Sequence, residues 1–192
     1  MLLMGDRTKG EIEIIKQNII FSNDFMEISN DDVVFPSGNS GTYIRVNSTS
    51  NKSVAVLPVT KEGNIVVIRN YRHGMRGWGI EVPKGSVDPG ESSEIAAIRE
   101  LKEETGYVCE KLMHIGEYSE SPAVFSSKIE CFVALGCRLK GSPEPESTEA
   151  IDKVFEIPLE ALLERDYKAD FIDSLSELLA CRYYIKKGDY VL

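Results

Sequence analysis

Five glutamates, Glu91, Glu94, Glu100, Glu103 and Glu104, stand within fourteen residues of the stretch Gly85–Tyr107, GSVDPGESSEIAAIRELKEETGY. The last three fall at i, i+3 and i+4 of a helix expected over about 93–105. At about 100° per residue their carboxylates share a face roughly 100° wide. Like charges at this spacing destabilise a helix by a few tenths of a kcal/mol, so the cluster needs either full solvation or a counter-cation. A run of acidic residues is most often just a solvated face. Here the flanks argue for more. Arg99 precedes Glu103 by four residues and can hold its carboxylate, Gly85 and Gly90 bracket a loop that must bend tightly, and Ser92 can cap the helix with Glu94 in its first turn. Oxygen-only ligands in this arrangement suit a hard divalent cation, Mg²⁺ above all, that also approaches substrate phosphates.

The elements that must position these side chains are legible from patterning. Short β-type runs, Glu11–Ile15, Ile19–Ile28, Val33–Phe35 and Thr42–Val46, imply a small antiparallel sheet. Residues 1–50 therefore form an N-terminal element, and 51–192 the body. Strong strands at Val54–Val59 and Ile65–Arg69 flank Lys61-Glu62-Gly63-Asn64, where Gly63 supplies the positive φ of a hairpin turn. A loop is expected from Tyr71 to Gly90, then the helix ended by Gly106, then strands near 111–118, 129–139 and 153–157. A short helix over Leu159–Glu164 and a longer one over Phe171–Lys187 close the chain.

Composition bounds the chemistry. The chain has 192 residues, 42% hydrophobic and 28% charged, enough for one well-filled domain with a small accessory element. With 22 Lys plus Arg against 31 Asp plus Glu, the net charge is −9, which argues against long nucleic acid as a ligand. Small anionic substrates remain open, since divalent cations can bridge carboxylates to phosphates. Cys109, Cys131, Cys137 and Cys181 form no CxxC pair and read as reduced thiols. The apolar run at the start is too short for a signal peptide, and nowhere do 18 apolar residues stand in succession, so a cytoplasmic protein without a membrane partner is expected.

Gly85, five residues, Glu91, seven residues, Arg99-Glu100-Leu101, one residue, Glu103-Glu104, one residue, Gly106 and the apolar Tyr107 resemble the Nudix box. Eight fixed positions at about 7% usage match by chance on the order of once in a billion starts. The chain from about 32 to 163 also resembles the ADP-ribose pyrophosphatase branch of that superfamily. The resemblance implies an α/β fold, an α/β/α sandwich around a mixed sheet, with the box forming a loop and helix that hold Mg²⁺ or Mn²⁺. It further implies that Glu100 and Glu104 ligate metal together with the backbone carbonyl of Lys84, that Glu103 is a ligand or a support, that Arg99 orients the glutamates, and that Glu91 supports the ligands from behind without touching the metal.

Features outside the box bear on substrate. Pro122, fifteen residues after Tyr107, Asn70-Tyr71-Arg72 and Glu81-Val82-Pro83-Lys84-Gly85 all resemble the ADP-ribose pyrophosphatase branch. In that reading the substrate is a nucleoside diphosphate sugar, Arg72 contacts a phosphate and Glu81 a ribose or base group. Trp78 offers a face to a base, or else packs in the core. A glutamate in a loop near the end of the sheet is expected as the base that activates water. Of Glu144, Glu146 and Glu149, the last has the spacing before Ile151 and Val154 that best fits the family pattern. Ala123 and Ser127 depart from the Gly and Glu that the branch commonly has after the proline. They keep GDP-mannose or another diphosphate open beside ADP-ribose, and a non-catalytic ADP-ribose-binding module is the further alternative. The N-terminal strands resemble the accessory sheet through which the branch forms homodimers. His73 and His114 receive no role.

Overall fold

A computed structural model of the protein describes residues 4–48, 52–164 and 169–187. The chain divides into two compact units, one made of residues 1–51 with 119–128, the other of 52–118 with 129–192.

The first unit is an antiparallel sheet of β1 (Glu13–Lys16), β2 (Ile19–Ser22), β3 (Met26–Val34) and β4 (Ser40–Ser48). The long strand β3 pairs along its whole length with β4 and, on its other edge, with β1 and β2 in turn. The apolar run expected over 19–28 is broken in two. Asn23 accepts from the backbone N–H groups of Phe25 and Met26 through its own side chain, which offers the backbone a turn in place of a continuing ladder. Segment 119–128 joins this unit through a parallel bridge between Phe125 and Val46. Buried Asp31 pairs with Arg45 at 3.0 Å.

The second unit is a nine-stranded mixed sheet with helices on both faces, an α/β/α sandwich. Its strands are β5 (Ser53–Thr60), β6 (Asn64–Arg72), β7 (Gly77–Glu81), β8 (Lys84–Ser86), β9 (Tyr107–Val108), β10 (Lys111–Tyr118), β11 (Ile129–Leu139), β12 (Ile151–Pro158) and β13 (Phe171–Ile172). Along the main path the order is β10-β11-β5-β6-β7-β13. β11 runs parallel to β5 and β13 parallel to β7, whereas β12 and β8 add antiparallel to β6 and β5. Alternate residues of β5 serve opposite faces. Val54 and Val56 pack with Ala96, Ala97 and Leu101 of α1 (Ser93–Thr105), while Ala55 and Leu57 pack with Leu159 and Leu162 of α2 (Leu159–Glu164) and Leu175 and Leu179 of α3 (Ser174–Lys186). Coverage of both faces explains why β5 and β6 read as almost unbroken apolar runs. The hairpin glycine Gly63 has φ +88°.

Two expectations are corrected here. The stretch 71–90 is not one loop, because β7 forms a hairpin with β6 and β8 pairs with β5, partners supplied by tertiary structure and not by local propensity. Phe171 and Ile172 belong to β13, and α3 starts only at Ser174, where Asp173 caps it by accepting from the Ser176 N–H. Among the described residues no helix is long and apolar enough to cross a membrane.

Candidate active site

Helix α1 is capped at its start by Ser92, whose hydroxyl accepts from the Ile95 N–H, and at its end by Gly106, whose φ of +76° permits the left-handed cap. The register set by these caps sends Ala96, Ala97 and Leu101 into the sheet and carries Glu100 and Glu104 in beside them. Their exposures are 7% and 1%, so neither lies on a solvated face. Glu100 rests against Gly85 of β8, where a Cβ would stand 2.1 Å from Oε1, so the site has room for its carboxylate only because position 85 has no side chain. Glu104 Oε2 accepts from the Lys84 backbone N–H at 3.0 Å. Across from them, the loop between β11 and β12 brings in Glu149, and one carboxylate oxygen from each of Glu100, Glu104 and Glu149 lies within 4.8 Å of the others. Glu149 is steadied within its own loop, where its carboxylate accepts from the Glu146 N–H at 2.8 Å.

Arg99 organises the outer side of this cluster. Its guanidinium donates to both oxygens of Glu91 at 3.1 Å, to Glu100 at 2.8 Å, to Glu103 at 3.0 Å and to the Ser86 carbonyl at 2.8 Å. One rigid fork thus ties the loop before the helix to two of its glutamates. Glu103 is held by Arg99 at the rim, its side chain 38% exposed, and stands outside the three-carboxylate group.

Electrostatics make the cluster costly as it stands. Burial, with Glu149 and Glu100 close by, pushes the Glu104 carboxyl up to about 10. Burial pushes Glu100 up to about 7, against the opposing charge of Arg99 and with Glu149 and Glu103 adding to the rise. Ionised, Glu104 leaves its buried Oε1 without a hydrogen-bond partner, and only a proton lets it bond to Glu149. An orphaned buried oxygen amid three carboxylates is the environment a hard cation satisfies, and the donor set is all oxygen, as Mg²⁺ or Mn²⁺ requires.

A second group of charges lies along β6, β7 and the start of α3. Arg72 grips the buried Glu81 carboxylate through Nε and Nη2. Lys84 Nζ stands 3.6 Å from Glu81 and 2.8 Å from Asp173. Burial alone would raise Asp173, but the Lys84 ammonium and the Ser176 hydroxyl and N–H hold it below its ordinary range. Sequence reading missed Asp173 and Ser176 because it ran the last helix through them. A polar Asp-Ser-Leu-Ser at a helix start was the available signal. Trp78 is half-buried, with the Arg69 guanidinium 4.4 Å from its ring centroid and Tyr71 edge-on at 5.5 Å, so neighbours already occupy part of its ring. Pro122 lies in a turn of segment 119–128, which groups with the N-terminal unit. Glu144 donates its backbone N–H to the Glu103 carbonyl, while Glu146 meets the Glu149 carboxylate through its own N–H; of the three loop glutamates only Glu149 joins Glu100 and Glu104. His73 contacts Arg76, and His114 meets Glu130 across β10 and β11.

The NUDIX domain matches this chain over residues 49–178. The chain belongs to the Nudix family. It is 31% identical to the ADP-ribose pyrophosphatase of Bacillus subtilis over 153 residues, 80% of this chain and 82% of that protein. It is equally 31% identical to the methanol dehydrogenase activator of Bacillus methanolicus over 159 residues, 81% and 85% of the two chains. A crystal structure of an ADP compounds hydrolase superimposes with a TM-score of 0.78 at 27% identity, covering 94% of this chain and 97% of that one. These likenesses place this Nudix hydrolase in the ADP-ribose pyrophosphatase-like branch.

Two outcomes follow from the geometry. A carboxyl whose folded-state pKa lies above its ordinary value of 4.5 contributes stability that is full below that value and lost as pH rises through the folded pKa, here about 7 for Glu100 and about 10 for Glu104. In chelator, the Nudix hydrolase should therefore lose stability between pH 5 and pH 9, and Glu104→Gln should flatten that decline; urea midpoints running parallel for the two proteins would contradict it. Asparagine keeps the α3 cap that alanine removes. Asp173→Ala should thus lose about 1 kcal/mol more than Asp173→Asn in urea unfolding, whereas equal losses would mean that the cap contributes nothing.

Proposed function

We propose that this Nudix hydrolase cleaves the pyrophosphate bond of a nucleoside diphosphate sugar with the help of a divalent cation, with ADP-ribose giving AMP and ribose 5-phosphate as the leading substrate. The observation that carries the reading is the convergence of Glu100, Glu104 and Glu149 around a buried oxygen that lacks a partner. Support for the adenosine diphosphate comes from the relatives named as acting on ADP-ribose and ADP compounds.

In this reading Glu100, Glu104 and the Lys84 backbone would hold Mg²⁺ or Mn²⁺. A cation held there would supply positive charge to the phosphate oxygens. Glu103 supports the site from the rim by sharing Arg99 with Glu100. Arg99 keeps Glu100 aimed inward and tied to Glu91. Glu149 takes the proton from the attacking water, since it sits on a loop and is the least buried member of the three. Arg72 uses only Nε and Nη2 for Glu81, so Nη1 is available for a phosphate oxygen. Glu81 then acts as the group that aims Arg72 and Lys84, a more specific part than the ribose or base contact expected from the sequence.

Ala123 and Ser127 favour a second reading, with the same chemistry on another nucleoside diphosphate such as GDP-mannose. A binding module without turnover fits less well, because a pure binder gains nothing from burying two mutually repelling carboxylates. The N-terminal unit, residues 1–50 in the main, is proposed to form a homodimer. Ile19, Ile20, Phe21, Phe25 and Ile44 are each about half exposed or more, an apolar surface that calls for a cover. The cytoplasm is the proposed setting.

Nucleotide release from ADP-ribose, ADP-glucose, GDP-mannose and diadenosine polyphosphates, with Mg²⁺ and then with chelator, tests the proposal. Cleavage should need the cation and favour ADP-ribose, and Glu149→Gln should lower kcat by roughly 10²–10⁴-fold. Full turnover in chelator, or unchanged turnover in the variant, would defeat the assignment of roles.

A further inference from the structure

We infer that Cys109 and Cys137 form a thiol pair positioned to close a cross-strand disulfide in the folded protein. The observation is one of register. β9 pairs with β11 as Leu139↔Tyr107 and Arg138↔Val108, and β10 resumes on the same strand as Lys111↔Leu135. Cys109 directly follows the paired Val108 and Cys137 directly precedes its partner Arg138, so the two thiols sit one step beyond a ladder pair. The two segments stay together past that pair, since the Glu110 N–H donates to the Leu135 carbonyl and a Cβ on Gly136 would stand 3.0 Å from the Glu110 carboxylate. Ladder pairs have Cα atoms about 4.5–5.5 Å apart and a disulfide bridges about 4.4–6.8 Å, so cysteines one step beyond such a pair lie where closure is geometrically open to them.

Both thiols also lie on the same face. Gly136, with φ +65°, interrupts the alternation of β11, so that Cys137 packs in the layer under α1 with Ala134 and Phe132. Cys109 packs against that same layer. Burial above all, with Cys109 adding to it, pushes the Cys137 thiol up to about 12, and burial raises Cys109 too, so closure is slow near neutral pH and quickens as pH rises. Cys137 is buried, its thiol donating to the Ala134 carbonyl at 3.3 Å, whereas Cys109 is partly exposed and offers the point of entry. Cys131 is buried and Cys181 lies on α3, so neither competes for this partner within the register.

The oxidant is a low-molecular-weight disulfide. Cys109, as thiolate, attacks one of its sulfurs and releases one small thiol. Cys137 then attacks the Cys109 sulfur of the mixed disulfide and releases the second. Two cysteine S–H bonds are thereby replaced by one S–S bond, and the small disulfide is reduced to two thiols. The bond would tie β9 to β11 next to Gly106, whose carbonyl accepts from the N–H groups of Lys140 and Gly141. That junction is both the end of α1 and the root of the loop bearing Glu149.

The test uses the full chain carrying Cys181→Ser, incubated folded with oxidised glutathione, alkylated, digested and analysed by mass spectrometry. A peptide pair linked through Cys109 and Cys137, with Cys131 alkylated, and an unfolding temperature raised by roughly 10 °C and restored by reductant, is expected. In Cys109→Ser both the link and the rise should vanish. A glutathione adduct that stalls on Cys109, links between chains, or four-hour exposure that leaves both thiols free to alkylate would each overturn the inference.

Discussion

Glu100 and Glu104 occupy the boundary between α1 and the sheet, where water is excluded and a third carboxylate, Glu149, stands close by. Removing a carboxylate from water is unfavourable unless it is paired, and here the neighbours of the same sign make it worse. The rest of the local architecture is arranged around that constraint. Gly85 makes space, the Lys84 N–H supplies one donor, and Arg99 supplies charge to Glu100 from outside. None of them reaches Glu104 Oε1. The remaining imbalance is what would give the site its proposed affinity for a cation, so the electrostatic cost of the cluster and its proposed activity have one origin.

The sandwich serves this end by bringing distant segments to one place. β8 is only three residues long, yet its pairing with β5 holds Lys84 and Gly85 beneath α1. The loop carrying Glu149 is hung between β11 and β12. It is anchored by hydrogen bonds from Lys140 and Gly141 to Gly106 and from Glu144 to Glu103, so the helix that bears two of the carboxylates also holds the approach of the third. On the other side, Asp173 caps α3 and engages Lys84, which couples the last helix to the strand that touches Glu104.

Much of this was readable in the chain. The spacing of Glu100, Glu103 and Glu104 with Arg99, the Ser92 cap and the Gly106 stop define α1 to the residue, because local chemistry decides helix ends. The family resemblance singles out Glu149 among three loop glutamates, and its carboxylate stands within 4.8 Å of those of Glu100 and Glu104. Local patterning could not reveal β7, β8 and β13. Their residues, Gly-Trp-Gly-Ile-Glu, Lys-Gly-Ser and Phe-Ile, lack a strong strand pattern and become strands only because a neighbouring edge accepts them. Equally hidden was the distinction between Glu103 and its neighbours. The three glutamates share a face in sequence, but only the packing of α1 decides which two go under and which stays at the rim.

The most direct test of this account is calorimetric titration of Mg²⁺ or Mn²⁺ into metal-free protein at pH 7, repeated in buffers of differing ionisation enthalpy. A cation entering the cluster must displace protons held by the raised Glu104 and Glu100 carboxyls. Binding should therefore release between about one and two protons per protein, and the release should fall by about one in Glu104→Gln. Binding without proton release, or no binding at all, would contradict the claim that the buried carboxylates are the cation's seat.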